Sequence, residues 1–335
     1  MPGSKTRVVV GGAATAVVLG ACMAIATTET GQDAGTARAR VSSLASVVKR
    51  PCFGAAARSP IPGCVDPGLR FTVFPIPEDA SLQPSAPCQP VGRVNLLNPC
   101  GFGAPATVTK DTVALIGDSH ASHWRAAVDV VAKAEGRPAI SITRAGCPFT
   151  TARVVIPSKQ AVTCRRWNRD LLAWLRRHHE VTTIFLSAHA NAKYVQTHRN
   201  RTNFETAVRG HMALWRALPA TVTSIIVIRD TPLNSFVAEE CVRRTYDRGQ
   251  RAEVRCARAR SSALHHDPAV TAARRLRSRV HILDMTRFFC SPSQCYSVVG
   301  GALVYKDTDH ITATFARTIG PFMLGKVADI VKNAA

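Results

Sequence analysis

From Asp111 onward the chain alternates short, mostly apolar runs with longer stretches of mixed polarity. The apolar runs are Val113–Ile116, Ala139–Thr143, Thr183–Ser187, Ser224–Arg229 and Val280–Asp284, and they are rich in Val and Ile. Such runs predict strands buried on both faces, as in a parallel sheet. The stretches between them predict helices over His120–Glu135, Arg166–His178, Asn203–Leu218, Pro268–Ser278 and Thr312–Asn333. Thr312 offers an N-cap for the last of these. Strand and helix in alternation imply an α/β domain over residues 107–335, a central parallel sheet covered by helices.

The first third of the chain breaks that pattern. Residues 49–106 are rich in Pro, Gly and Cys and show no helical periodicity. A loop-rich segment of this kind buries too little apolar area to hold its shape without cross-links. It is expected to pack on the α/β domain as a disulfide-stapled extension. Residues 27–48, rich in Ala, Thr and Ser, read as a flexible stalk. Before them, Lys5 and Arg7 precede an uncharged run from Val8 to Ala26, the layout of an export signal. Residues 1–26 have three possible fates. Cleavage could follow Ala24-Ile25-Ala26, or the run could stay as a membrane anchor. Leu19-Gly20-Ala21-Cys22 also resembles a lipobox that would acylate Cys22. All three export the remainder to the cell envelope or beyond.

Cysteine usage agrees with export. Setting Cys22 aside leaves ten of the 11 cysteines, and a disulfide framework needs an oxidising compartment. Spacing suggests local pairs: Cys52–Cys64, Cys88–Cys100, Cys147–Cys164, Cys241–Cys256 and Cys290–Cys295. Sequence alone does not fix connectivity. No C-x₂-C pair occurs, which argues against a zinc site. Charge changes the picture again: 43 Lys+Arg against 22 Asp+Glu give +21. The excess suits either a solvated surface or attraction to anionic envelope polymers and lipid. No nucleic-acid-binding module accompanies it, so nucleic acid is not an expected partner.

The candidate chemistry sits in two islands. The run Thr112–Ile116 feeds into Gly117-Asp118-Ser119-His120, and far downstream stands Asp307-Thr308-Asp309-His310. A serine hydroxyl needs a hydrogen-bonded base to become a nucleophile, and an imidazole base needs an acid to hold its tautomer. A Gly-Asp-Ser turn just past a strand end presents the hydroxyl at the C-terminal edge of the sheet, where open α/β folds bind ligands. Residues three apart can face each other across one turn, whereas neighbours diverge, so Asp307 is preferred over Asp309 as the acid for His310. Asp118 is expected to brace the turn. His120 and His123, with Asp307 and His310, could be drawn as metal ligands, but the serine, histidine and aspartate already form a complete acyl-transfer set. No metal and no cofactor are therefore expected. Trp124 suits either pocket lining or packing; Trp167 and Asn168 read as supports.

Five blocks carry a family resemblance: Gly117-Asp118-Ser119-His120-Ala121-Ser122-His123-Trp124, Thr143-Arg144-Ala145-Gly146-Cys147-Pro148, Cys164-Arg165-Arg166-Trp167-Asn168, Cys290 to Cys295, and Tyr305-Lys306-Asp307-Thr308-Asp309-His310-Ile311-Thr312. With them, roughly residues 50–335 resemble an SGNH-type hydrolase/acyltransferase domain. More narrowly, the chain is similar to the extracytoplasmic SGNH domain found with membrane acyltransferase-3 proteins that O-acetylate bacterial envelope glycans. The resemblance implies a flavodoxin-like three-layer fold, with Ser119 as nucleophile, His310 as general base and Asp307 as orienting acid. It also implies an oxyanion hole from Ser119 and Gly146. The third-block asparagine has no Gly-x-Asn-Asp sequence here, and Asn191 in Ser187-Ala188-His189-Ala190-Asn191 is its weak counterpart.

The implied function is an exported serine acyltransferase acting on O-acyl, foremost O-acetyl, groups of an envelope glycan. With at most one span of its own, the chain would receive acyl groups from a separate membrane acyltransferase-3 partner. Two alternatives stand beside this: a secreted esterase or deacetylase, and a non-catalytic envelope-binding protein that uses its basic surface.

Overall fold

Seven strands build the central sheet: β1 (Gln89–Pro90), β2 (Cys100–Gly103), β3 (Thr112–Gly117), β4 (Pro138–Thr143), β5 (Val181–Ser187), β6 (Ser224–Ile228) and β7 (Val280–Leu283). The structure, a computed structural model, describes residues 46–335 apart from 61–63, 93, 106–110, 197–201, 277 and 335. Strand order is β1-β2-β4-β3-β5-β6-β7. Neighbours from β4 through β7 run parallel, while β2 pairs antiparallel with β4 and β1 antiparallel with β2. The Val/Ile runs therefore become a mostly parallel sheet within an α/β fold.

Alternation along β3 divides the core. Val113 and Leu115 face one layer, where they pack with α3 (Arg125–Ala134) and α8 (Ala313–Ala334). Ala114 and Ile116 face the other, with α4 (Ser158–Leu175), α5 (Asn203–Arg216) and α7 (Pro268–Leu276). A period of two places consecutive side chains on opposite faces, and helices on both faces bury both. The remaining longer helices are α1 (Pro77–Leu82), α2 (Ser119–His123) and α6 (Phe236–Asp247).

Several helices differ from the sequence pattern, among them α1, which forms inside the extension where no helix is expected, with Pro77 at its first position and Glu78 and Asp79 in its first turn. The expected helix over His120–Glu135 divides at the buried Trp124, which ends α2 and begins α3 through tighter i→i−3 bonding. Helix α4 starts at Ser158 rather than Arg166; before position 166 its only buried residues are Ala161 and Cys164, too few to show an apolar stripe in the sequence. The unanticipated α6 leaves Phe236 and Val237 exposed, so no apolar stripe announces it; Ser235 caps it by accepting from the Ala238 N–H at 3.0 Å.

The extension is woven into this frame. Strands β1 and β2 extend the sheet beyond β4, and Cys88–Cys100 joins their ends. A 3₁₀ turn over Gly54–Arg58 lies on α8, with the Ala55 N–H donating to Thr318 Oγ1 at 2.9 Å. Cys52–Cys64, Cys147–Cys164, Cys241–Cys256 and Cys290–Cys295 complete the disulfides of the described residues. Residues Ser46–Ala335 form one unit, and the expected boundary at 106/107 falls within residues outside the description. The leader 1–26, with Cys22, and the stalk up to residue 45 also lie outside the described residues. Among the described residues, no helix is long and apolar enough to cross a membrane.

Candidate active site

Strand β3 lies between β4 and β5, so the chain leaves it in opposite directions for the next two parallel strands. Ligand crevices of open α/β sheets form at such a switch point, outside the carboxyl ends of the strands. Ser119 begins α2 there, two residues past the end of β3 and partly exposed. Gly117 makes the turn possible: its φ is +149°, and a Cβ would stand 2.0 Å from the Ser187 carbonyl oxygen. Asp118 then braces two strand ends. Its Oδ1 accepts from the His120 N–H at 2.9 Å, capping α2, and its Oδ2 accepts from the His189 N–H, past β5, at 3.0 Å. Burial pushes this carboxyl's pKa up.

The second island is a closed loop between the Tyr305–Ile311 bridge. Asp307 Oδ1 accepts from the Asp309 N–H at 3.0 Å and the His310 N–H at 2.7 Å, folding the carboxylate back over the loop. Neighbouring segments hold it in place. The Asn234 N–H donates to Thr308 O at 2.9 Å, and the Tyr305 hydroxyl donates to Pro232 O at 2.7 Å. From the extension, Gln83 takes Lys306 Nζ on its carbonyl at 3.2 Å and the Ala313 N–H on its Oε1 at 2.9 Å.

His310 Nδ1 is hydrogen-bonded to Asp307, at 2.9 Å from Oδ2 and 3.1 Å from Oδ1. Asp309, expected to point away, also brings Oδ1 within 2.9 Å of Nδ1 as an ion pair. Asp307, through its hydrogen bond, and then the close Asp309 carboxylate push the His310 pKa up to about 9 against the effect of burial. Asp309 is held well below the usual carboxylate range by His120 and His310. The other ring nitrogen, Nε2, is buried and has no hydrogen-bond partner among the described residues, Ser119 included. Catalytic hydrogen bonds are often long before substrate binds.

Around His310 stand three more imidazoles. The His120 ring centroid is 5.0 Å from that of His310, and His123 is 5.9 Å away. His189 stacks on His120 at 4.4 Å. His120 Nδ1 lies 2.6 Å from Asp230 Oδ1, while its Nε2 is 3.9 Å from Asp309 Oδ2. His123 is buried, with neither ring nitrogen hydrogen-bonded among the described residues, and burial, then the charges of His120 and His310, lowers its pKa well below the ordinary value. Asp230 is tied in turn to Asp267, whose Oδ2 accepts the Asp230 N–H at 2.9 Å; burial and the Asp230 charge push Asp267 up to about 6.

Among the described residues, donor atoms within 4.8 Å of one another gather in two sets, His120/Asp309/His310 and His120/His123/Asp230. Asp307 belongs to neither. In both sets the carboxylates already serve imidazole nitrogens, an arrangement suited to holding and moving protons.

The expected oxyanion donors are spread along the same edge. Gly146 is exposed in the turn after β4, φ +65°, closed by the Cys147 N–H donating to Arg144 O at 3.0 Å. Asn191 lies in the turn after β5 and lines a small cavity with Asp230 and Asp267, on the far side of His120 from the Asp307–His310 loop. Asn168 is buried and donates from Nδ2 to Pro148 O at 3.2 Å, a support beneath the Gly146 turn; Trp124 and Trp167 are both buried in the core. Sequence reasoning passed over Asp230, Asp267 and His189. One signal was present: Asp230 and His189 each follow an apolar strand run at the edge where Ser119 emerges.

A family model described as "SGNH domain (fused to AT3 domains)" matches residues 87–325. The chain belongs to this SGNH family. The matched span takes in β1 through β7 and both islands of the site. A similar solved structure is the periplasmic domain of a lipopolysaccharide acetyltransferase from Salmonella ser. Paratyphi A, at 12% identity and a TM-score of 0.48, covering 67% of this chain and 85% of that one. No curated protein matches the chain. Within the SGNH frame, Ser119 and the Asp307–His310 loop occupy one sheet edge, and the His120–Asp230 pair lies between β3 and β6 behind them.

Proposed function

We propose that this SGNH protein is an exported serine acyltransferase that moves O-acetyl groups onto an envelope glycan through an acyl-serine intermediate. The observation that carries this reading is the state of His310: Nδ1 hydrogen-bonded to Asp307, Nε2 left without a partner beside the first turn of α2. That is the arrangement a general base requires. In the first step Nε2 takes the Ser119 hydroxyl proton as Oγ bonds to the acyl carbon. The donor's acyl–oxygen bond breaks, and its leaving oxygen takes the proton back from Nε2. In the second step Nε2 takes the proton of a sugar hydroxyl, whose oxygen bonds to the acyl carbon; the bond to Oγ breaks and Ser119 recovers the proton. Backbone N–H groups of Ser119 and Gly146 receive the oxyanion, with Asn191 as the weaker third donor.

Export is supported by the leader pattern and by five disulfides, which persist in oxidising compartments. The family description, a domain fused to AT3 domains, supports a membrane acyltransferase-3 partner as acyl donor. The extension acts as a stapled brace, since Gln83 reaches both the Lys306 side chain and the start of α8. Esterase action uses the same residues with water as acceptor, and the partial exposure of Ser119 favours keeping that reading. The two are separated by supplying p-nitrophenyl acetate with envelope oligosaccharides and following acetylated sugar and free acetate by mass spectrometry. Acetylated sugar made by the parent and not by Ser119→Ala supports transfer. Free acetate alone assigns an esterase, and activity undiminished in Ser119→Ala sinks both readings.

A further inference from the structure

Beside the edge strand β7 lies a cavity of 780 Å³ that shares no residue with the Ser119 site. Four cations line it: Arg58 from the extension, Arg260, Arg287 and Lys326 of α8. They come from separate parts of the chain, so the fold, rather than one basic stretch, brings them together.

How these arginines are held matters more than their number. Some surface arginines pair with acids: Glu205 takes Arg209 at 2.8 Å and Arg275 at 3.0 Å, and Glu240 takes Arg243 at 2.6 Å. In the cavity no acid among the described residues takes them: backbone carbonyls hold two of the three guanidiniums, and Arg287 lies over the Phe288 ring, 5.8 Å from its centroid. Arg58 Nε donates to Arg287 O at 3.0 Å, and Arg260 Nη1 donates to Ser291 O at 3.1 Å. Arg58 is also set over the Tyr296 ring, 4.6 Å from its centroid. No ion pair joins any of the four cations to a carboxylate among the described residues. Asp284, the one acid of the lining, pairs with Arg229 at 3.4 Å, and Glu253 feels the Arg58 charge without an ion pair to it. A carbonyl orients a guanidinium without neutralising it, and each guanidinium keeps further N–H groups in a planar fork that fits an oxyanion. Like charges around one concavity repel, and a bound anion would relieve that repulsion. The Cys290–Cys295 disulfide, with Cys290 in the wall, stiffens the loop that carries the Ser291 carbonyl.

We infer that this cavity is a binding site for a phosphate-type oxyanion, carried by a phosphodiester-bearing glycan or present as a free phosphate. It stands apart from the acyl-transfer reading, and its test is read by binding. Isothermal titration of the full chain with pyrophosphate and with a poly(glycerol phosphate) oligomer, against neutral dextran, gives the affinities. The double variant Arg260→Gln/Arg287→Gln should weaken phosphate binding at least about tenfold. Arg166→Gln/Arg169→Gln, which removes the same charge from exposed α4, should stay within about twofold of the parent. Hydrolysis of p-nitrophenyl acetate should be equal in the parent and both double variants, showing that the fold is intact. Tighter binding of the oligomer than of pyrophosphate supports the glycan source; equal binding supports free phosphate. Equal loss in both double variants reduces the effect to net charge and overturns the site, as does no loss in either or binding of dextran alone.

Discussion

His120 and Asp230 form a buried imidazole–carboxylate pair, Nδ1 to Oδ1 at 2.6 Å, directly behind the Asp307–His310 loop. Burial alone would lower the His120 pKa, but the Asp230 charge and hydrogen bond override it and raise it well above the ordinary value. Asp230 is anchored further by the Ala190 N–H at 2.7 Å and the Thr231 N–H at 2.9 Å. Carboxylates and imidazoles then alternate from Asp230 through His120, Asp309 and His310 to Asp307. Asp309 stands between two imidazoles, which leaves Asp307 as the residue with hydrogen-bond geometry to Nδ1.

Removing one member of a buried pair strands the other's charge, which costs roughly 3–5 kcal/mol. Asp230→Ala should therefore lower the unfolding free energy by about that amount, measured by urea denaturation near neutral pH. A loss under about 1 kcal/mol would mean that His120 is not held as a cation. His120→Asn/Asp230→Asn, which removes both charges, should recover much of the loss.

The raised His310 pKa sets a pH dependence. With a pKa of about 9, roughly 1% of the imidazole is neutral at pH 7. Turnover of a small ester, followed as kcat/KM, should rise close to tenfold per pH unit and level off above about 9. Asp309→Asn removes one of the two carboxylates on Nδ1, so the limb should move to lower pH. Stability has the opposite sign. The folded pKa lies above the ordinary 6.5, so this stabilisation is complete below 6.5 and is lost as pH rises through about 9. The melting temperature of the parent should fall across that window more than that of Asp309→Asn. A limb near 6.5 in the parent would show that neither aspartate holds the proton on His310.

Much of the fold was legible because its signals are local. The Val/Ile runs end within three residues of β3 through β7, and the disulfides link cysteines only 5 to 17 positions apart. Gly117-Asp118-Ser119 and Asp307 to His310 stand at the sheet edge where a strand-end turn and a helix-entry loop would put them. What stayed hidden is non-local or unpatterned. His120 and Asp230 are 110 residues apart in sequence, and no short-range rule pairs them. Strand β1 has two residues, too few to show a period, and β2 is Cys-Gly-Phe-Gly. Asp309 was expected to diverge from His310, yet the Asp307 carboxylate curls the loop until both acids reach one nitrogen.

Gly117 should tolerate no side chain. In Gly117→Ala the new Cβ would meet the Ser187 carbonyl oxygen at 2.0 Å, in a backbone conformation disfavoured for L residues. Strain and overlap together should cost roughly 2–4 kcal/mol. They should also displace Ser119, so ester turnover falls further than the loss of folded protein explains. Circular dichroism melts and active-site titration with a phosphonate check the two effects separately. An unchanged melt with a full phosphonate titre would show that the turn has room the geometry denies.

Asp307 and Asp309 are separated as candidate acids by their geometry at His310, not by distance, since both lie 2.9 Å from Nδ1. Asp307 has the hydrogen bond and folds the loop through two backbone N–H groups; Asp309 is shared with His120. Under the proposed mechanism His310 takes the Ser119 proton; an amide at 307 cannot stabilise the imidazolium so formed, and it can stabilise the wrong tautomer. Asp307→Asn should thus lower ester turnover on the order of 10³–10⁴-fold. Asp309→Asn should stay within about tenfold once each enzyme is measured above its own pH limb. Measuring above the limb matters, because a shift in the His310 pKa alone changes the rate at neutral pH. Thermal melts of both variants keep loss of fold distinct from loss of chemistry. If Asp309→Asn is the crippled variant and Asp307→Asn keeps near-parental turnover, the acid is Asp309. If both keep it, His310 works with Ser119 as a dyad.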